Sequence, residues 1–192
     1  MNNRILALIF AATVAFGPPA RADDVTSQIN EALTAYGKKD LPTAIAGLEA
    51  ALNMMRQSRA DSYGALLPAA PDGWKADAVE TVSAGVALGG GGTSASRKYH
   101  KGSDLVTVSI LTDSPLLPMM LAMTTGPLAA MSNLRTQVVN GRRATYQKDE
   151  GAFMIIVADK IMVRVEGRGQ SEDTLKQFLT AIDFAAVEKV GK

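Results

Sequence analysis

Leu105-Val106-Thr107-Val108-Ser109-Ile110-Leu111 alternates apolar and polar side chains, with Val106, Val108 and Ile110 on one face and Thr107 and Ser109 on the other. Successive side chains of a strand point to opposite faces, so this period of two predicts a half-buried β-strand. Working upstream, Lys101-Gly102-Ser103-Asp104 supplies a turn, and Thr93 to His100 supplies a second strand. Gly89 to Gly92 predict a flexible loop, and residues 75–88 are weakly strand-like. Downstream, Thr136–Val139 and Arg142–Gln147 flank Asn140-Gly141. That pair accepts the positive φ values of a tight hairpin turn. Ala152–Ala158 and Ile161–Glu166 add two strands around Asp159-Lys160. A closing helix follows, with Glu172 and Asp173 at its positive end and Leu175, Phe178, Leu179 and Ile182 as its apolar stripe. The class predicted is α+β, an antiparallel sheet covered by helices.

Before residue 65 the period changes to that of helices. Val25, Ile29, Ala32, Leu33 and Tyr36 recur at three- and four-residue steps and predict a helix over 25–37. Gly37-Lys38-Lys39-Asp40 breaks it, and Asp40 followed by Pro42 suits the start of a second helix with an apolar face of Ile45, Leu48, Leu52 and Met55. The stretch AYGKKDLPTAIAGLEAAL, residues 35–52, resembles the turn and second helix of a tetratricopeptide repeat, with small Ala44 and Ala51 where two helices approach closely. That likeness covers about one repeat, residues 25–56. A lone repeat cannot bury its faces by stacking, so it implies a helical hairpin that docks elsewhere.

Residues 65–74, with Pro68, Pro71 and Gly73, predict a linker whose Trp74 anchors the start of the next domain. The expected organisation is a leader over 1–22, a helical hairpin over 23–64, the linker, and an α+β domain over 75–192. In the last of these, the order of strands, helix, meander and closing helix over residues 73–190 resembles the PsbP-like α+β sandwich. That resemblance implies a fold and no particular activity.

The leader is expected from MNNRILALIFAATVAFGPPARA: one early cation at Arg4, an apolar run from Ile5 to Phe16, a Gly17-Pro18-Pro19 break, and small Ala20 and Ala22. These are the parts of a cleavable export signal, with cutting expected between Ala22 and Asp23. The run is too short for a permanent anchor, so a periplasmic or secreted protein with no stable membrane attachment is expected. Losing Arg4 and Arg21 from 20 basic residues leaves 18 against 19 acidic ones. Such balance supplies no field to attract nucleic acid or an anionic membrane. The chain has no cysteine, which excludes disulfides, thiolate metal sites and thiol nucleophiles.

Chemistry-bearing residues are sparse. His100 is the only histidine, and Ser103 and Asp104 follow it, but neighbours on a strand point apart and do not assemble a triad. A hydrolase built on His100 is the first alternative. Met119, Met120 and Met123 lie close together, with Met131 and Met54-Met55 elsewhere. Thioethers are soft ligands, so a Cu(I)-binding protein is the second alternative. The acidic residues form no calcium loop, Gly89–Gly92 lacks the continuation of a phosphate loop, and Arg142 and Arg143 suit solvation beside their turn. No cofactor is implied.

From Ser114 through Leu134 the chain carries no charge, and Pro115, Pro118 and Gly126-Pro127 divide that run into two short helices expected to pack on the sheet. Where part of it is exposed, Leu116, Leu117, Met120 and Met123 are the expected contacts for a ligand or partner. The function expected is that of an exported, non-enzymatic binding or accessory protein, contacting a protein partner or a small apolar ligand.

Overall fold

The computed structural model describes residues 21–84, 92–125 and 134–192. The expected leader therefore lies, up to residue 20, outside the described residues. So do Gly89 to Gly91, Met131 and the second short helix expected after Gly126. The chain divides into two compact units that part between Ala51 and Leu52.

In the first unit, α1 (Arg21–Gly37) and the start of α2 (Leu41–Gly64) are joined by three residues, a connection short enough to make them antiparallel. Lys39 turns the chain with φ 63°, and Asp40 Oδ1 accepts from the Thr43 amide at the start of α2. The helices meet through small side chains: Ala32, Ala35, Ala44 and Ala51 are all buried. A Cβ added to Gly47 would come within 3.0 Å of the Ala32 Cβ, so the backbones approach as closely as glycine permits.

The second unit is built on one sheet. Among the described residues it has eight strands: β1 (Lys75–Ala76), β2 (Glu80–Ala84), β3 (Gly92–Lys101), β4 (Asp104–Thr112), β5 (Leu134–Val139), β6 (Arg142–Gln147), β7 (Ala152–Val157) and β8 (Ile161–Glu166). Every pairing is antiparallel, in the order β1-β3-β4-β8-β7-β6-β5, with β2 also on β3. The last strand thus lies centrally against β4, while the chain leaving β4 travels to the far rim to begin β5. Asn140 and Gly141, with φ 49° and 72°, close the β5–β6 hairpin as the sequence predicted. Between β1 and β2 the register runs from Ala76 opposite Tyr99 to Glu80 opposite Ser96, which sets three residues, 77–79, against two. This extra residue makes a bulge.

Alternation along the strands sorts the core. Tyr99, Val106, Val108, Ile110, Phe153, Ile155, Val163 and Val165 share one face and are buried. Covering them are Tyr63 near the end of α2, Leu175, Phe178 and Leu179 of α4 (Glu172–Thr180), and Phe184 and Val187 of α5 (Phe184–Val190). The fold class is α+β, as expected from the switch between helical and strand periods. Residues 65–74 are held on this face by hydrogen bonds: the Pro68 carbonyl accepts from the Tyr99 hydroxyl at 2.7 Å and from Arg97 Nη1 at 3.4 Å. Trp74 is buried edge-on to Phe178, with ring centroids 5.1 Å apart.

Candidate functional site

The first unit spends its small residues on its own interface and leaves its large ones outside. Ile29, Leu33 and Tyr36 on α1, and Leu41, Ile45 and Leu48 on α2, are each between 41 and 66% exposed. At about 100° per residue, Ile29, Leu33 and Tyr36 lie roughly a quarter-turn from the line of Ala32 and Ala35 that faces α2. Leu41, Ile45 and Leu48 lie roughly a quarter-turn, in the same rotational sense, from the line of Ala44, Gly47 and Ala51. Because the helices are antiparallel, equal rotations of the same sense bring both sets to one side of the hairpin. The result is a continuous apolar face without a charged side chain. The opposite side is polar, with a groove lined by Ser27, Asn30, Glu31, Thr34, Lys38 and Thr43 among others. In the second unit, Leu52 and Met55 of α2 are exposed as well.

The uncharged run forms α3 (Leu117–Thr125) over the other face of the sheet. Leu117, Met154 and Met162 are buried together, with Leu111, Met120 and Ile156 against them. Of the four expected contacts, Leu117 is a core residue, Met120 is half-buried and Leu116 is exposed. Met123 has its backbone in α3, but its side chain lies outside the described residues. Met119, exposed, points away from the cluster that Met120 joins. The structure thus gathers Met120 with two methionines 34 and 42 residues downstream, in a setting of aliphatic side chains. Among the described residues no group of three histidine or acidic side chains converges as metal ligands would.

His100 Nε2 lies 2.8 Å from Asp77 Oδ2, and both side chains are about half exposed. Asp77 comes from the bulge between β1 and β2, which is why sequence proximity pointed instead to Asp104. Ser103 and Asp104 line a different feature, a cleft of about 580 Å³ bordered also by Thr107, Glu150, Arg164 and Glu166. Arg164, also in its lining, donates through Nη2 to Glu150 at 2.5 Å and through Nε to Glu166 at 2.8 Å. Burial by itself would lower the Arg164 pKa, but the hydrogen bonds and charges of Glu150 and then Glu166 outweigh it and hold the guanidinium more firmly protonated. With its cation already satisfied by two carboxylates, the cleft has the character of a structural clamp across β8 and the β6–β7 turn. Arg142, one of the two turn arginines, pairs with Glu188 at 3.1 Å and lies over the Phe184 ring, while Arg143 is exposed.

The hairpin face was only half visible in the sequence. Its apolar stripe was evident, but a stripe on a helix ordinarily marks what is buried. The signal for the reverse was the row Ala32, Ala35, Ala44, Gly47 and Ala51, which lets two helices close on each other without their larger residues. No family model matches the chain, and no curated protein or solved structure matches it either.

Proposed function

We propose that the chain is an exported binding or accessory protein, periplasmic or secreted, that acts by holding a protein partner on the apolar face of its helical hairpin. The observation that carries this reading is the set of large side chains from Ile29 to Leu48 left in water on one side of α1 and α2. Six such residues expose on the order of 600 Å² of apolar surface, the upper end of what a monomer ordinarily presents as one patch. Large side chains exposed along two helices suit a protein surface better than a small apolar ligand, which favours a concave pocket. The leader and the near-neutral charge fit a role outside the cytoplasm that does not depend on nucleic acid.

Native mass spectrometry of the chain recovered from exporting cells, beside a Leu33→Glu variant, tests it. The expected result is a bound protein subunit with the natural chain and its loss in the variant. A bare monomer in both would overturn the reading. The hydrolase alternative draws on the His100–Asp77 pair, and it predicts esterase or peptidase activity that His100→Ala abolishes.

A further inference from the structure

Resting on that reading, we infer that the partner seated on the hairpin face is a second copy of this chain, the two hairpins packing face to face about a two-fold axis. Two properties of the face point to self-association. The first is area: two copies would together withdraw on the order of 1,200 Å² of apolar surface from water, which reaches the range of specific interfaces.

The second property is charge. A two-fold interface sets a patch against itself, so any charged residue near its centre meets its own like charge or lies close to it. The stripe Ile29, Leu33, Tyr36, Leu41, Ile45 and Leu48 contains none. The charged side chains described in this unit, Asp24, Glu31, Lys38, Lys39, Asp40 and Glu49, fall on its other sides and in its turn. Nothing on the face therefore discriminates against a second copy. A partner of opposite charge gains no advantage over it. Tyr36, 65% exposed, supplies the kind of amphipathic aromatic that anchors interfaces, with its ring in the contact and its hydroxyl at the rim.

Sedimentation velocity tests this on the chain starting at Asp23, which retains all the described elements apart from the first two residues of α1. The natural chain is expected to move from monomer to dimer as its concentration rises through the micromolar range. Leu33→Glu combined with Ile45→Glu is expected to weaken that association at least 100-fold. Both positions are exposed, so the variant should keep its Trp74 emission and unfolding midpoint. As a second measurement, Leu48→Cys gives this cysteine-free chain one thiol, and a short bis-maleimide should link it to its counterpart in the dimer. A natural chain that stays monomeric up to 200 μM, or a double variant that dimerises undiminished, overturns the inference. Self-association and the wider reading separate cleanly: a different protein held on the face in native mass spectrometry sinks the two-fold pairing and leaves the binding role standing.

Discussion

Replacing Phe178 with alanine removes a ring that is fully buried and has two aromatic neighbours. Trp74 meets it edge-on at 5.1 Å between centroids, and Tyr99 lies tilted at 4.8 Å. Truncating a buried phenylalanine costs about 3–5 kcal/mol, counting both lost transfer energy and the cavity left behind. Each aromatic pair adds about 0.5–1.5 kcal/mol beyond area alone, so this position belongs in the upper half of that range, about 4–5 kcal/mol. Tyr99 is also fixed at its other end by the bond from its hydroxyl to the Pro68 carbonyl, which limits how far the site can collapse into the void. A domain of this size has a total stability of only about 5–15 kcal/mol, so the variant should be marginal. Urea titration followed by the emission of Trp74, the only tryptophan, reads the effect at the site itself. With a denaturant slope of about 2 kcal/mol/M, the midpoint should fall by about 2 M. Phe178→Leu refills part of the volume but gives up both aromatic pairs, and should lose about 1–3 kcal/mol, less than alanine. Alanine and leucine variants with midpoints both within about 0.5 M of the natural chain would refute the idea that α4 is fastened to the sheet by this aromatic trio.

Two further outcomes follow from particular contacts. Glu172 is held ionised below its ordinary value of 4.5 by the hydrogen bond from Gln137, followed by those from Arg135 and Lys176, against the opposing effect of burial. A depressed folded pKa stabilises the fold above the unfolded value and loses that contribution as pH falls through the folded one. Glu172→Gln should therefore cost roughly 0.5–1 kcal/mol near neutrality, helix-terminus effect included, and the gap to the natural chain should close in acid. Thermal unfolding across that pH series checks it, and a gap independent of pH would contradict it. Gly167→Ala would place a Cβ 2.8 Å from Gln170 Cγ, 3.0 Å from the Leu105 carbonyl oxygen and 3.1 Å from Leu175 Cδ2. Overpacking against backbone should cost about 1–3 kcal/mol, whereas Gly37→Ala, with nothing within 4 Å, should be neutral in the same thermal scans.

Local chemistry carried most of the architecture into view. Residues 105–111 alternate because Val106, Val108 and Ile110 enter the main core under α4 and α5, while on the other face only Leu111 joins the smaller cluster beneath α3. Asn140-Gly141 declares its turn because few residues tolerate two positive φ values in succession. The arrangement of strands was not legible, since antiparallel pairing of β8 with β4 depends on which apolar faces find each other across 50 residues, and periodicity is silent on that. The bulge that brings Asp77 to His100 was hidden for a related reason: register is a property of two strands and not of one. For the candidate face, the sequence showed amphipathic helices but not which stripe was turned inward. Alanines win the interhelical position over leucines there because contact between backbones needs thin side chains, a preference that hydrophobicity alone ranks the wrong way. Met120 found Met154 and Met162 for the same long-range reason, through strands that place them on the sheet surface beneath α3.

Three residues set against two between β1 and β2 also limit what the rim of the sheet offers to other chains. An incoming strand seeking to extend the ladder meets Lys75-Ala76, then a bend, then the five residues of β2. Among the described residues no long straight template is presented, so fibril-like growth along them would have to break register within a few residues. At the far rim, β5 is six residues long and carries Arg135, whose guanidinium is fastened to Glu172 and whose charge repels an identical strand laid alongside. A cysteine-free chain, unable to lock its fold covalently, thus guards the described ends of its sheet by shape and charge.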